Sequence, residues 1–295
     1  MKKFIILLPV YNDWKSVSKL LNEIDFETKK WDAEVSIIII NDASIEQRSD
    51  ISEKYNKIKS VKIINMKKNR GHARCNAAGL KYINENENFD YVILMDGDGE
   101  DRPQELNLLF DKSKENPSKV ITANRIKRSE GPLFRLLYEI HKILTYIFTG
   151  KLIKFGNYCC LTKDAVSKLT KEPSIWSSFS GSVEKVIFDR DSVSSIRGLR
   201  YFGPSQMNLF SLLIHSFSII GVFRKSVIIR SIVFCFLYLF LISYKFSIIN
   251  LLPIIAILCF LLSVLKVSLR ANSEELSKSL ENIDKIEILS SSNDR

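Results

Sequence analysis

Four short apolar runs, each stopping at a polar cluster, constrain this chain more than any other feature. Phe4–Val10 precedes Tyr11-Asn12-Asp13, Val35–Ile40 precedes Asn41-Asp42, Val61–Asn65 precedes the Lys67–Arg70 cluster, and Tyr91–Met95 precedes Asp96. Helix-like segments fall between and after them, at Trp14–Asp25, Ile45–Tyr55, Arg74–Asn84 and Pro103–Lys114, and a further strand, Lys119–Ala123, leads into Asn124-Arg125. Strands alternating with helices indicate a mostly parallel, Rossmann-type sheet covered on both faces. Ligands of such sheets bind beyond the carboxyl ends of the strands, where all four polar clusters sit. At 295 residues the chain holds one large α/β domain plus an appendage.

The fourth run carries the most chemistry. It ends in Asp96-Gly97-Asp98-Gly99-Glu100-Asp101. On an extended segment residues i and i+2 share a face, so Asp96 and Asp98 can enter one crevice. Acids this crowded repel unless a cation or solvent lies between them, and hard oxygen ligands suit Mg²⁺ or Mn²⁺. Such an ion could take a diphosphate as its other ligands. A lone Asp-x-Asp also fits a solvated acidic loop; the other clusters favour the site. Asp42 can accept hydrogen bonds from a base or ribose, or cap the helix that follows. Asn69-Arg70-Gly71-His72 closes the third strand, and a helix opening there beside Arg70 and Arg74 favours phosphate. His72 by itself does not nominate a general base.

The formal net charge is +10, which suits an anionic membrane surface, phosphate-bearing substrates or nucleic acid. No nucleic-acid-binding motif accompanies it. The five cysteines show neither metal-ligand spacing nor a disulfide framework and read as free thiols in a reducing cytoplasm. The opening Met-Lys-Lys-Phe-Ile-Ile-Leu-Leu-Pro-Val contains Pro9 and lacks a small-residue cleavage site, so it reads as a first strand and not as a signal peptide. After about residue 207 the composition changes. Ser226–Tyr244 and Ser247–Leu265 each approach the ~20 apolar residues that span a bilayer. Arg224, Lys225 and Arg230 before them, and Lys266 and Arg270 after, place both outer ends in the cytoplasm, with Lys245 at the far turn. Leu209–Phe223 reads as an interfacial helix, and Leu133–Phe148 either lies on the membrane or packs as a core helix. The organisation expected is therefore a catalytic domain over 1–207, a juxtamembrane helix over 208–225, two transmembrane helices over 226–270, and a polar cytoplasmic tail over 271–295 with a helix and a disordered end. Arg125, Lys127 and Arg128 follow the fifth strand, and Arg197 and Arg200 stand just ahead of the apolar segments, suited to a lipid phosphate or to anionic headgroups.

Together, Leu8–Asp13, Asn41–Ser44, Asn69–Arg74, Asp96–Asp101 and Arg200–Gln206 resemble the family 2 glycosyltransferases of GT-A fold, in the dolichyl- or polyprenyl-phosphate sugar synthase branch. The resemblance implies that Pro9, Tyr11, Asp13 and Asp42 contact the nucleotide and that Asp96 lies near its ribose or diphosphate. It implies further that Asp98 and Glu100 bind the divalent ion, that Arg125 and Arg200 hold phosphates, and that Asp96, Asp98 and Arg200 carry the chemistry. The function so implied is transfer of a sugar, with inversion, from a nucleotide sugar to polyprenyl phosphate at the inner face of the cytoplasmic membrane. Homo-oligomerisation is left open. Asn41 replaces the family's more usual aspartate, Ala43 a glycine, Gly97 an alanine and Arg102 a proline, while Gln206 takes the place of an acceptor-site lysine. A sugar-hydroxyl acceptor, which needs a base such as Asp101 or Glu184, is the nearest alternative. A non-catalytic nucleotide-sugar-binding scaffold is a remote one.

Overall fold

The computed structural model describes residues 1–48, 51, 54–127, 132–204, 208–243 and 247–289. Its strands are β1 (Lys2–Val10), β2 (Ala33–Asn41), β3 (Ile58–Met66), β4 (Tyr91–Leu94), β5 (Val120–Lys127), β6 (Phe155–Thr162), β7 (Arg190–Ile196) and β8 (Ile283–Leu289). Its helices are α1 (Trp14–Glu27), α2 (His72–Asn86), α3 (Leu106–Glu115), α4 (Pro132–Thr149), α5 (Lys163–Leu169), α6 (Phe179–Val186), α7 (Leu209–Gly221), α8 (Arg224–Ile242), α9 (Leu252–Ser268) and α10 (Ser273–Ser277).

The strands form one mixed sheet in the order β7-β5-β6-β4-β1-β2-β3-β8. β4, β1, β2 and β3 run parallel, as the apolar runs predict. Both faces are buried, so alternate residues of β1 enter different cores. Phe4, Ile6 and Leu8 meet the α1 and α3 side, with Trp14, Leu20 and Leu109. Ile5 and Leu7 meet the α2, α5 and α6 side, with Leu80, Val166 and Val183. This explains why these strands read as continuous apolar runs instead of alternating ones. Antiparallel β6 pairs with both β4 and β5, and the β5–β7 pair is again parallel.

Two expectations fail. No helix covers the described residues between Ile45 and Tyr55. The Asn12 side chain accepts the backbone N–H groups of Ile45 and Glu46 at 2.9 and 3.2 Å, holding that stretch as a loop against the end of β1. The second failure is the tail. After α9 the chain returns to the sheet, and Ile283–Leu289 pairs antiparallel with β3 as the eighth strand. Glu287 on β8 accepts from Asn65 Nδ2 at 2.9 Å and from Arg48 at 2.7 Å. Upstream, Trp176 Nε1 donates to Glu275 on α10 at 2.7 Å.

Among the described residues two helices are long and apolar enough to cross a membrane: α8, and the stretch that contains α9. The turn between them, with Lys245, lies outside the described residues. Phe148 of α4 sits among Ile220 of α7, Val227 of α8 and Val264 of α9, so these four helices share one apolar cluster. Arg230, in the first apolar segment, donates to the Ile147 carbonyl at 3.0 Å, and Ser226 donates to Thr149 O at 3.3 Å. The first turns of α8 therefore satisfy carbonyls at the end of α4, and the Arg230 charge favours that negative helix terminus. α4 also exposes Leu136, Ile140, Ile143 and Ile147, and α7 exposes Leu209, Phe210 and Leu213.

Deleting everything after Ala271 removes the outer partner of β3 and the acceptor of Trp176. The truncated protein in detergent is expected to melt roughly 5–10 °C lower, from a loss of about 3 kcal/mol, while still fractionating with membranes. Size-exclusion profiles after heating measure this, and an unchanged melting temperature would show that β8 adds no stability.

Candidate active site

The site is assembled at the carboxyl ends of β1, β2, β3 and β4. β4 stops at Leu94, Met95 N–H still bonds the Leu7 carbonyl at 3.2 Å, and the chain then turns sharply. Asp98 Oδ1 accepts the Glu100 N–H at 3.0 Å, and Asp101 Oδ2 accepts the Asp96 N–H at 3.0 Å. A side chain at residue 97 would put its Cβ 2.8 Å from the Pro9 carbonyl oxygen, so glycine in place of alanine lets the turn press against β1. Gly99 has φ +85°, and a Cβ there would come within 2.5 Å of the Tyr201 ring.

That ring belongs to the segment after β7, which folds onto the acidic turn. Tyr201 N–H bonds Asp98 O at 3.0 Å and Gly198 N–H bonds Glu100 O at 2.8 Å. Arg200 Nη1 donates to Asp98 Oδ2 at 2.8 Å while its Nη2 donates to Asp13 Oδ2 at 2.5 Å. Arg197 pairs with Glu100. Tyr201 OH reaches Glu23 on α1 at 2.7 Å, with Lys19 Nζ 4.2 Å from the ring centroid. Beneath the turn, Arg125 approaches Asp101 at 3.5 Å. Asp96 Oδ1 receives both Asn157 Nδ2 and His72 Nε2 at 3.1 Å.

The charges are unequal in consequence. Burial pushes the Asp96 carboxyl up, but His72, Arg197 and Arg125 outweigh it and hold it well below the usual carboxylate range. Burial and the Asp96 charge push Asp98 up to about 6 against Arg200 and Arg197. The same two causes bring Asp101 to about 7 against Arg125. Desolvation lowers the His72 imidazole, and Asp96 with Asp98 and Asp101 more than reverses this.

Asp42 occupies a different place from the one expected of a nucleotide ligand. It is buried, and its two oxygens accept the Arg70 and Gly71 N–H groups at 3.0 and 2.8 Å. It thereby fixes the loop between β3 and α2. Next to it Ala43 has φ +58°, a left-handed conformation that explains the glycine usual in the family and costs about 1 kcal/mol in alanine. The backbone is held there by Ala43 N–H on Asn41 O at 2.8 Å and Ser44 N–H on Asn41 Oδ1 at 3.0 Å. Asn41 needs its amide: Nδ2 donates to Asn65 Oδ1 at 2.8 Å, and Asn65 in turn donates to Glu287. An aspartate at residue 41 could not make the first of these donations. Pro9 is buried within β1, while Tyr11 stands exposed at its end.

The structure thus brings Asp13, Asp96, Asp98, Glu100, Arg125 and Arg200 together and gives Asp42 a positioning role. Gln206, Ser205 and Arg128 lie outside the described residues. Sequence reading missed Asn157, Tyr201 as the seat of Gly99, and the pairing of His72 with Asp96. Among the described residues no three His, Cys, Asp or Glu side chains form a complete metal cage. A Mg²⁺-type ion is ordinarily held by one or two carboxylates and by substrate phosphates. Asp98 and Glu100 are two carboxylates of that kind on one turn, each paired here with an arginine, Arg200 and Arg197, that an ion would have to displace or share.

A mixed sheet of this order, with an acidic turn after β4 and helices on both faces, defines a GT-A-type fold. The sequence profile of Glycosyl transferase family 2 matches residues 5–169, and the chain belongs to that family. Among curated proteins, an undecaprenyl-phosphate 4-deoxy-4-formamido-L-arabinose transferase of Salmonella choleraesuis is 25% identical over 165 residues, 55% of this chain and 48% of the relative. An uncharacterized protein of Methanocaldococcus jannaschii is 27% identical over 133 residues, 44% of this chain and 55% of the relative. The chain therefore spans about half the length of the curated relatives it matches. The glucosyl-3-phosphoglycerate synthase of Mycobacterium tuberculosis, solved with Mn²⁺, uridine diphosphate and phosphoglyceric acid, superposes with a TM-score of 0.52 at 12% identity, covering 77% of this chain and 78% of that one. The mannosyl-3-phosphoglycerate synthase of Rubrobacter xylanophilus gives 0.51 at 13% identity, covering 75% and 72%. These structures share the fold.

Gly99→Ala is expected to cost about 2–3 kcal/mol, from the clash with Tyr201 and the left-handed backbone together. In a Tyr201→Ala background the clash is gone and only about 1 kcal/mol of backbone strain remains. A double-mutant cycle on thermal unfolding measures the difference; equal costs in both backgrounds would remove the ring from that seat.

Proposed function

We propose that this chain is a membrane-anchored glycosyltransferase that moves a sugar from a nucleotide sugar to a polyprenyl phosphate. The observation that carries the reading is the docking of Arg197 and Arg200 on the acidic turn, by a segment that comes just before the apolar helices in the sequence. The printed activity of the Salmonella relative, an undecaprenyl-phosphate sugar transfer, supports it.

In this mechanism the nucleotide lies across the ends of β1 and β2, against Tyr11 and Asp13 and beside the Pro9 backbone. Asp42 orders the Asn69–Gly71 loop for it. Asp98 and Glu100 would hold Mg²⁺ or Mn²⁺, which would supply positive charge to offset that of the departing diphosphate. Arg200 and Arg197 lower the repulsion between two phosphate-bearing substrates, and Arg125 offsets the negative charge of the buried Asp96 and Asp101. The acceptor phosphate oxygen attacks the anomeric carbon opposite the leaving group. The new C–O bond forms as the bond to the diphosphate breaks, which inverts that centre. A phosphate oxygen is already anionic at neutral pH, so no general base is needed.

The surroundings of the two candidate bases support a phosphate acceptor over a hydroxyl. Glu184 is paired with Arg190 at 2.5 Å and Lys151 at 3.5 Å. Asp101 is buried and committed to the Asp96 N–H and Arg125. The reading places catalytic residues 1–207 on the cytoplasmic side, 208–225 at the interface and 226–270 across the inner membrane. The return of β8 to the same sheet as β1 supports a hairpin with both ends on one side, and the cations at Arg224, Lys225, Lys266 and Arg270 support the cytoplasmic side.

Incubating detergent-purified protein with labelled nucleotide sugars, with and without undecaprenyl phosphate, in Mn²⁺ or chelator, tests the proposal. Metal-dependent label in the organic phase is expected; label that never leaves the donor in any combination refutes it. Asp98→Ala is expected to lower transfer at least about 100-fold with membrane insertion intact. Arg200→Gln is expected to lower kcat/KM for the acceptor about tenfold or more, with donor affinity changed less. Unchanged acceptor kinetics would take Arg200 out of the acceptor site.

A further inference from the structure

A second cationic site stands apart from the acidic turn. An open pocket of about 460 Å³ is lined by Asn69, Arg70, Gly71, Arg74 and Glu275. It lies between the loop that opens α2 and the returning helix α10, and none of Asp13, Asp96, Asp98 and Glu100 lines it. Arg70 makes no side-chain hydrogen bond or ion pair among the described residues; its recorded bond is the backbone one to Asp42. Arg74 packs its guanidinium 5.6 Å from the Trp176 ring centroid and meets Glu275 Oε2 at 3.5 Å, the same oxygen that accepts from Trp176 Nε1. Its Nε is buried with no hydrogen-bond partner.

Arg270, two residues beyond the end of α9, belongs to the same electrostatic neighbourhood. Burial lowers the Arg74 pKa from its ordinary value; Glu275 opposes the shift, and Arg270 and Arg70 add to it by repulsion. Arg70 and Arg74 thus share one pocket with a single carboxylate, Glu275, which pairs with Arg74 alone, and Arg270 repels Arg74 from just beyond the second apolar helix. Cations in excess of their carboxylate are costly without an anion, and arginine offers the planar donor fork that fits phosphate oxygens. The Gly71–His72 backbone at the start of α2 carries no side-chain cap and adds the positive end of a helix to the pocket.

We propose that Arg70, Arg74 and Arg270 form a binding site for the phosphate of an anionic membrane lipid, with Glu275 as the internal carboxylate that competes for Arg74. Basic pockets beside the cytoplasmic ends of membrane helices hold lipid headgroups by this chemistry. The site would seat the catalytic domain against the bilayer by an interaction separate from sugar transfer. It rests on the reading of α8 and α9 as membrane helices. The other source of the same chemistry is a phosphate of the nucleotide donor, and the two can be told apart.

The test uses the full chain purified in mild detergent and offered phosphatidylglycerol or phosphatidylcholine, with retained lipid counted by native mass spectrometry and UDP affinity measured by calorimetry in parallel. The wild type is expected to retain phosphatidylglycerol over phosphatidylcholine. The Arg74→Gln/Arg270→Gln variant should retain about tenfold less, and Glu275→Gln, which keeps an acceptor for Trp176, should retain severalfold more. UDP affinity should stay within about twofold in both. Opposite responses to these substitutions are not what a purely structural role gives. Equal retention by all three proteins overturns the proposal, and so does a parallel fall in UDP affinity, which would assign the pocket to the donor. Failure of sugar transfer in the earlier assay would leave lipid retention unaffected, so the two readings fail separately.

Discussion

Arg200, bonded at once to Asp13 and Asp98, holds together a site that electrostatics would otherwise disperse. The carboxylates come from the ends of β1 and β4, which must be neighbours for the sheet to close, and their acids are therefore forced into proximity. Two like charges at about 4 Å repel by roughly 4 kcal/mol at the effective dielectric of a protein surface. A planar guanidinium shared between them removes that penalty and fixes their separation. The same segment supplies Arg197 to Glu100 and seats the Tyr201 ring over Gly99. Geometry and charge balance at the acidic turn thus come from one loop after β7, roughly a hundred residues further along the chain.

Much of this was legible before the fold was known, for physical reasons that also mark where legibility stops. The parallel strands announced themselves because burial on both faces makes every residue apolar, and the polar clusters at their ends follow from the sheet having one open edge. The sequence singles out Asp98 and Arg200 separately, but nothing in it announces that they bond to each other. Asn157 was invisible because β6 enters from far along the chain and carries no motif. The stretch near Ile45 has helical composition, but Asn12 supplies acceptors that its backbone would otherwise have to find within a helix. For β8 the obstacle was different. Ile-Asp-Lys-Ile-Glu-Ile-Leu is the pattern of an edge strand, polar on its open side, and a polar tail shows the same composition.

The return of the chain after α9 changes what the membrane hairpin is. A simple anchor would leave the sheet complete without it. Here the apolar β3 would be the outer edge if the polypeptide ended at the second apolar helix, and the shorter, charged β8 takes that place instead. The hairpin is thus an insertion between two parts of one hydrogen-bonded unit. The parts are joined by Lys67 N–H on Asn282 O at 2.7 Å and by Asn282 Nδ2 on Lys68 O at 2.9 Å, as well as by the strand itself.

That arrangement runs directly into the carboxyl end of β2, beside the acidic turn. Glu287 on β8 receives Asn65, Asn65 receives Asn41, and Asn41 Oδ1 holds the Ser44 N–H beside the left-handed Ala43. Asn41 and Asn65 each have one donor and one acceptor in use, so the order of donation is set from the loop to the carboxylate on the returning strand. An asparagine at residue 41 is required by this chain of amides, since a carboxylate there would face Glu287 through Asn65 with no proton to give. Asn41 and the eighth strand are thus linked through one run of hydrogen bonds. It ends on the Glu287 carboxylate, which Arg48 neutralises at 2.7 Å.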